Sequence, residues 1–412
     1  MSHSPIKHYV ILVSEHNIAE YQACLSFQPE HIHLIITTRM QKAAQRLQKT
    51  LENSSLSSKI HLIPSDHHYP LSGESALEIS KWIEHVFQPY TQQWQAQDFC
   101  VLNMTGATKI LSTLLLYAYP WQKIHYQPFL PQQAQLQVEQ LYIHPTNNHL
   151  VFSERTALNS EIDLLNALRL YADQVKSHTP NPIFQRPESI DLALQRFEAQ
   201  KENSDHPFTA ITPVLQQLWF VDKPNQKTVF KSWQDFQYAT PTRLHEFFKQ
   251  LYQLDENATT LRCDEQGVEL PTIQYKKMQN WRKWISGDWF EQLIYHWLIQ
   301  QGVAPQRLRQ GVQISSAQAS GNETDILLLK NNQLHFLEIK SDISKQQSLK
   351  EFEGQLLAQS DQLGKVNKVL VVSDSIKRSK STEQWLAFEN NCQSKQIRII
   401  VISKAEDLDV LI

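Results

Sequence analysis

Before residue 120 one unit recurs four times: a short continuous apolar run, a polar turn, then a stretch with helical spacing. HYVILVS at 8–14 precedes NIAEYQACLSF, HIHLIITT at 31–38 precedes RMQKAAQRLQKTLE, KIHLIP at 59–64 precedes SGESALEISKWIEHVF, and DFCVLNMTG at 98–106 precedes TKILSTLLLYAY. A run that is apolar at consecutive positions has both faces covered, and a helix between successive strands makes the strands parallel. The unit therefore predicts an α/β domain with a doubly wound sheet. KIHYQPFL at 123–130, then QLQVEQLYIHP and HLVFSE, predict an antiparallel hairpin turning at Thr146, Asn147 and Asn148, with the domain ending near residue 155.

Ligands of such sheets sit beyond the carboxyl ends of the strands, where backbone amides and helix N-termini point into one space. The first run ends in Ser14, Glu15, His16 and Asn17, the second in Thr37, Thr38 and Arg39, and the fourth in Asn103, Thr105, Gly106, Ala107, Thr108 and Lys109. Small hydroxyls, a glycine and a lysine at a helix start suit phosphate or ribose contacts. Helix capping by Thr105 or Thr108 with a turn at Gly106 accounts for NMTGATK equally well. The absence of GxGxxG and GxxxxGK[ST] disfavours a dinucleotide cofactor or NTP hydrolysis.

Residues 156–285 read as a connector or a small helical subdomain: RTALNSEIDLLNALRLYADQVK as an amphipathic helix, SHTPNPIFQRPES as a Pro-rich link, TRLHEFFKQLYQL as another helix. From Ser286, a candidate N-cap, the pattern sharpens over residues 286–412. GDWFEQLIYHWLIQQG predicts a helix, followed by a short strand at 311–315, the strands ETDILLL and LHFLEIK joined by KNNQ, a helix through SKQQSLKEFEGQLLAQSDQLG, the strand KVLVVS and the strand QIRIIVIS. This is the element order of a restriction-endonuclease-like α/β core.

Glu338 and Lys340 lie two apart, hence on one strand face. A carboxylate there can ligate Mg2+ or Mn2+ while the ammonium orients an attacking water or stabilises charge developing at phosphorus. Asp325 on the preceding strand supplies a second ligand and Glu291 on the helix a third. An ExK pair can equally be a salt bridge on a solvent-facing edge, but Leu337 and Ile339 make the other face apolar too, and charge in a covered strand needs a partner such as a metal. Glu323 shares Asp325's strand face and competes with it as ligand, and Gln355 on the following helix is an auxiliary candidate.

Four cysteines without CxxC or disulfide spacing point to a reducing cytoplasm, and the apolar run ending at Val13 is too short for a signal peptide or a membrane span. The net charge of −3 offers no global attraction to nucleic acid, so binding would rest on local groups: Lys276, Lys277, Arg282 and Lys283, Arg307 and Arg309, or Lys377, Arg378 and Lys380. His61, His67 and His68 have no cysteine or acidic partner at a zinc-ligand spacing.

The amino-terminal doubly wound pattern, with its polar loop after the first strand and its NMTGATK turn, resembles the Rossmann-like CARF domains of type III CRISPR ancillary proteins. The carboxyl-terminal Glu291, Asp325, Glu338-Ile339-Lys340 series resembles the PD-(D/E)xK nucleases, with Thr324 where the motif name has proline. Together they resemble the CARF-fused nucleases activated by cyclic oligoadenylate. The resemblance implies a homodimer that binds a cyclic oligoadenylate, with cyclic tetra-adenylate favoured, and a Mn2+- or Mg2+-dependent endonuclease cutting RNA and/or DNA in antiviral defence. Metal binding then falls on Glu291, Asp325 and Glu338, and catalytic assistance on Lys340. A nucleotide-sensing regulator that holds nucleic acid without cutting it is the alternative, and a sensor that degrades its own activator through Thr105 or Lys109 is a third reading.

Overall fold

The computed structural model describes residues 5–63, 68–106, 108–126, 137–143, 150–158, 162–172, 174–177, 187–201, 228–232, 262–263, 267–271, 284–315, 323–331, 333–341, 353–354, 356–357 and 366–411. The chain divides into two compact units: Met1–Val175 with Ile314–Ser320 and Leu329–Leu334, and Lys176–Gln313 with Gly321–Leu328 and His335–Ile412.

In the first unit the apolar runs form β1 (His8–Leu12), β2 (His31–Ile35), β3 (Lys59–Ile63) and β4 (Cys100–Asn103). They alternate with α1 (Ile18–Phe27), α2 (Gln41–Glu52), α3 (Ala76–Trp82) and α4 (Lys109–Ala118), and α3 runs on through a π-helical turn, Ile83–Phe87, into Gln88–Thr91. With β5 (Lys123–Tyr126), β6 (Gln137–Ile143) and β7 (Leu150–Ala157) they make one sheet in the order β3-β2-β1-β4-β5-β6-β7. β1 to β5 pair in parallel and β6 and β7 antiparallel. All five residues of β1 are buried, as a strand with neighbours on both sides and helices on both faces requires. Val10, Leu12, Ile35, Leu102, Leu111 and Leu115 share one core with Trp82, and each such side chain contributes roughly 1.5–3 kcal/mol on burial.

Four histidines of β1, β2 and β3 cluster ring against ring: His8 and His31 at the first residues of their strands, His33 and His61 at the middle of theirs. His8 Nε2 lies 3.1 Å from Asp98 Oδ2, His8 Nδ1 lies 3.0 Å from His33 Nε2, and His33 Nδ1 lies 2.9 Å from the Tyr90 hydroxyl. One proton assignment satisfies this chain: with Asp98 ionised, His8 donates to it, His33 donates to His8, and Tyr90 donates to His33. Both of these rings are then neutral. Burial holds His8 and His31 below the ordinary histidine value and brings His33 down to about 2.

The stretch 155–176 is not one helix. Residues to Ala157 continue β7, α5 spans Leu164–Arg169, and β8 spans Gln174–Ser177. The Asp163 carboxylate accepts the Asn166 amide hydrogen at 2.8 Å and so starts the helix late. Beyond it, α6 (Pro187–Lys201) belongs to the second unit's core through Leu192, Ala193 and Phe197. A small sheet of β9 (Thr228–Ser232), β10 (Arg262–Cys263) and β11 (Gly267–Pro271) runs in the order β10-β11-β9.

The remaining elements are α7 (Trp289–Gln300), β12 (Leu308–Ser315), β13 (Glu323–Lys330), β14 (Gln333–Lys340), β15 (Asn367–Ser373), α8 (Asp374–Arg378), α9 (Thr382–Ser394) and β16 (Ile397–Ile402). Their sheet has the order β16-β15-β14-β13-β12-β8, with β14, β15 and β16 parallel and β12 antiparallel to β13. Helix α7 begins at Trp289 after a π-helical turn over Trp284–Asp288, so Asp288, not Ser286, stands at its N-cap. The buried network from Trp284 Nε1 to Gln292 Oε1 (2.8 Å) and from Gln292 Nε2 to Ser189 Oγ (2.6 Å) anchors this start to α6. Among the described residues, no helix is long and apolar enough to cross a membrane.

Candidate nuclease site and candidate ligand loops

β13 and β14 are neighbours joined by a tight turn in which Asn331 takes φ 49°, a conformation asparagine tolerates. Ile326, Leu328, Leu337 and Ile339 enter the core with α7. Alternation then places Asp325, Glu338 and Lys340 on the other face, where their side chains meet. Lys340 Nζ lies 2.5 Å from Glu338 Oε1 and 3.7 Å from Asp325 Oδ2, and Asp325 Oδ2 also accepts the Ile339 amide hydrogen at 2.7 Å. The Glu338 side chain is 4 % exposed, Asp325 16 % and Lys340 21 %, so the group is sheltered but open at the lysine.

Negative charge is in excess here. Burial, and then the Glu338 carboxylate, push Asp325 up to about 7 against the opposing pull of Lys340 and the Ile339 amide. Burial and the Asp325 and Asp288 carboxylates hold Glu291 well above the ordinary carboxylate value, while Lys340 pulls the other way. Burial alone would lower Lys340, but Asp325, Glu338 and Glu291 outweigh it and keep the ammonium protonated. Lys340 can therefore act through its charge and its N–H groups.

Glu291 thus belongs to this electrostatic group from the first turn of α7, and Asp288, one turn earlier on the same side, joins it. Asp288 was absent from the sequence-derived set; its only signal is the three-residue spacing to Glu291. Glu323 is exposed, whereas Asp325 is the carboxylate that meets Lys340. Gln355 lies outside the described residues, as do Lys276, Lys277, Arg282 and Lys283.

The donor set suits a hard divalent cation: carboxylate oxygens in a sheltered place whose mutual repulsion a cation would relieve. Among the described residues no three His, Cys, Asp or Glu side chains close around a single point. Two carboxylates with open positions are the usual protein share of a Mg2+ shell, in which water and substrate phosphate supply the rest.

In the first unit, the strand ends converge at the point between β1 and β4 where the direction of winding reverses. Asn17 is fully buried and both ends of its amide are used on the Ser14 backbone, accepting from Ser14 N at 3.0 Å and donating to Ser14 O at 2.8 Å. Ser14 Oγ donates to His16 O at 3.0 Å. These two residues shape the turn after β1. Gly106 packs against it so closely that a Cβ would run into the Leu12 carbonyl oxygen and stand 3.1 Å from Ser14 Cβ.

The buried Thr37 touches Gly73, and Thr108 both caps α4, accepting Leu111 N–H at 3.3 Å, and donates to the Gly73 carbonyl. Gly73 takes φ 79°, the left-handed region that glycine enters freely. Thr38, Arg39 and Lys109 are exposed around this framework, Arg39 paired with Glu74 at 2.6 Å. The Thr105 amide donates to Asn103 Oδ1 at 3.0 Å. Ala107 lies outside the described residues. Thr108 caps the helix from an exposed position, and Lys109, Arg39 and Thr38 are exposed as well.

His61 in β3 faces His31 at 3.0 Å, and His67 lies outside the described residues.

No family profile matches the chain, and no curated protein matches it. Solved structures do. The chain is similar to protein VC1899 from Vibrio cholerae, at 15 % identity and TM-score 0.68, covering 99 % of this chain and 97 % of that one. It is also similar to Can2 from Sulfobacillus thermosulfidooxidans in complex with cyclic tetra-adenylate, at 17 % identity and TM-score 0.63, covering 98 % of this chain and 97 % of that one. Over nearly its whole length the chain has the fold that these two proteins share.

Proposed function

We propose that this chain is a cyclic-oligoadenylate-activated, metal-dependent nuclease of type III CRISPR antiviral defence, acting as a homodimer. The observation that carries the reading is the sheltered meeting of Asp325, Glu338 and Lys340, with the charges of Glu291 and Asp288 added to it. Such an excess of buried carboxylate costs stability unless a cation relieves it. The fold shared with Can2, whose solved structure holds cyclic tetra-adenylate, supports the loops around Gly106 as the sensor for that class of ligand.

Asp325 and Glu338 would hold Mn2+ or Mg2+, with Glu291 reaching it directly or through water. The metal would supply Lewis acidity at the scissile phosphate and a more acidic water. Lys340, held as ammonium, orients the attacking water and stabilises the charge that develops on the phosphate oxygens. Arg307, Arg309, Lys377, Arg378 and Lys380 are candidates for tracking the nucleic-acid backbone. At the sensor, Lys109, Arg39 and Thr38 are the exposed groups placed to meet phosphate and ribose.

The test is direct. Incubated with Mn2+, each ring size in turn, and labelled single- and double-stranded RNA and DNA, the protein should cut at least one substrate only when both ring and metal are present. Glu338→Ala should abolish cutting and leave ring binding intact; full activity in that variant would remove the site assignment.

A further inference from the structure

Glu20 is the first-turn acid of α1, the helix that leaves β1 directly beside the candidate ligand loops. It is 1 % exposed. A Cβ on Gly106 would stand 2.8 Å from Glu20 Oε1, so this carboxyl forms the floor on which the Gly106 turn rests. Glu20 Oε2 has no hydrogen-bond partner among the described residues. Among the described residues, the titratable groups coupled to it are Tyr9 of β1, Cys24 one turn further along α1, and Tyr171 beyond α5, and burial holds the acidity of all three down, so none is charged near neutral pH. Among the described residues no cation compensates it, and the influence that favours its charged form is a hydrogen bond from its own backbone amide. Burial accordingly pushes the Glu20 carboxyl up to about 8.

An ionised carboxylate in this position has no partner, whereas a neutral acid there is tolerated. It also lies beneath loops whose proposed ligand is a ring of phosphodiesters, each carrying a negative charge.

We propose that Glu20 is a positioning residue of the sensor: as a neutral acid it seats the Gly106 turn against the end of β1, and its ionisation unseats that turn and repels a polyanionic ligand. This rests on the ligand reading above for the identity of the anion, but not for the seating of the turn.

The decisive comparison is wild type against Glu20→Gln, which keeps the shape and stays neutral. With cyclic tetra-adenylate as probe, affinity of the wild type should be flat from pH 6.5 to about 7.5 and fall about tenfold by pH 9, following the proton lost per pH unit above the Glu20 value. Glu20→Gln should bind equally at both ends of the range. Parallel pH profiles for the two proteins would overturn the proposal.

Thermal unfolding without ligand gives the second readout. A carboxyl raised from 4.5 to about 8 contributes stability below about pH 4.5 that is lost progressively up to pH 8. The wild type should therefore melt near the temperature of Glu20→Gln at pH 5 and about 3 °C or more below it at pH 9. If no ring binds the wild type at pH 6.5, the cyclic-oligoadenylate reading fails on its own, and the melting comparison still decides the seating of the turn: an unchanged difference between pH 5 and pH 9 would refute it.

Discussion

Lys340 sits between two carboxylates whose charge keeps it protonated, and this separates its role from theirs. If Asp325 and Glu338 hold the metal, Glu338→Ala removes a ligand, and Mn2+ binding measured by calorimetry should weaken at least about tenfold together with the loss of cleavage. Lys340→Met removes a competing positive charge. It should leave Mn2+ affinity unchanged or tighter while cutting the rate by about 10²–10³-fold, the scale of a lost electrostatic group in an active site. Equal losses of metal affinity in both variants would show that Lys340 only supports the carboxylates. At the proposed sensor loop, Gly106→Ala drives a methyl group into the Leu12 carbonyl and the Glu20 carboxyl. An overpacking cost of about 1–3 kcal/mol should appear in chemical denaturation, with ring affinity lowered at the same time, since the turn cannot keep its place.

Among the elements, β1, β2 and β3 carry the clustered histidines His8, His31, His33 and His61. His33 is brought down to about 2 by burial and by the charges that His61, His8 and His31 would bear. A histidine depressed in the folded state binds its proton only on unfolding. Its contribution is therefore present above about pH 6.5 and is lost as pH falls below it. Melting temperature should drop between pH 7.5 and pH 5, and His33→Gln should reduce that drop; an undiminished drop would place the sensitivity elsewhere.

In the first sheet β3 is a half-exposed edge, but β1, β2 and β4 were legible because both of their faces are covered, which writes a continuous apolar run into the sequence. The same signal exposed Glu338 and Lys340, charges in a strand with no polar face. The stretch after Ala157 misled because Leu158, Ile162, Leu164, Ala167, Leu168 and Val175 imitate a helical stripe, whereas α5 occupies only its middle and a strand follows. Glu20 and Asp288 were invisible for a different reason. A carboxylate on a helix reads as solvated unless the packing above it is known, and Gly106 and Asp325, which give these two their meaning, lie far away in the sequence.

For the whole molecule, the proposed function makes ligand capture in the first unit and phosphodiester cleavage in the second two ends of one equilibrium. A ring that merely binds both arrangements equally would change nothing; activation requires it to favour the cutting arrangement. Linkage then imposes a reciprocal effect on binding: a nucleic-acid substrate that favours the cutting arrangement must tighten the ring by the factor by which the ring tightens the substrate. Glu338→Gln allows this to be measured without turnover, because it keeps the size of the side chain that Lys340 contacts while removing its charge. In the presence of saturating uncut substrate, this variant should bind cyclic tetra-adenylate about 5- to 150-fold more tightly than alone, the span of ordinary coupling energies. Ring affinity that stays constant whatever the substrate concentration would mean that the ring acts on the catalytic step and not on substrate binding, and the search for the switch would then move from the nucleic-acid surface to the placement of Glu291 and Asp288 beside Asp325.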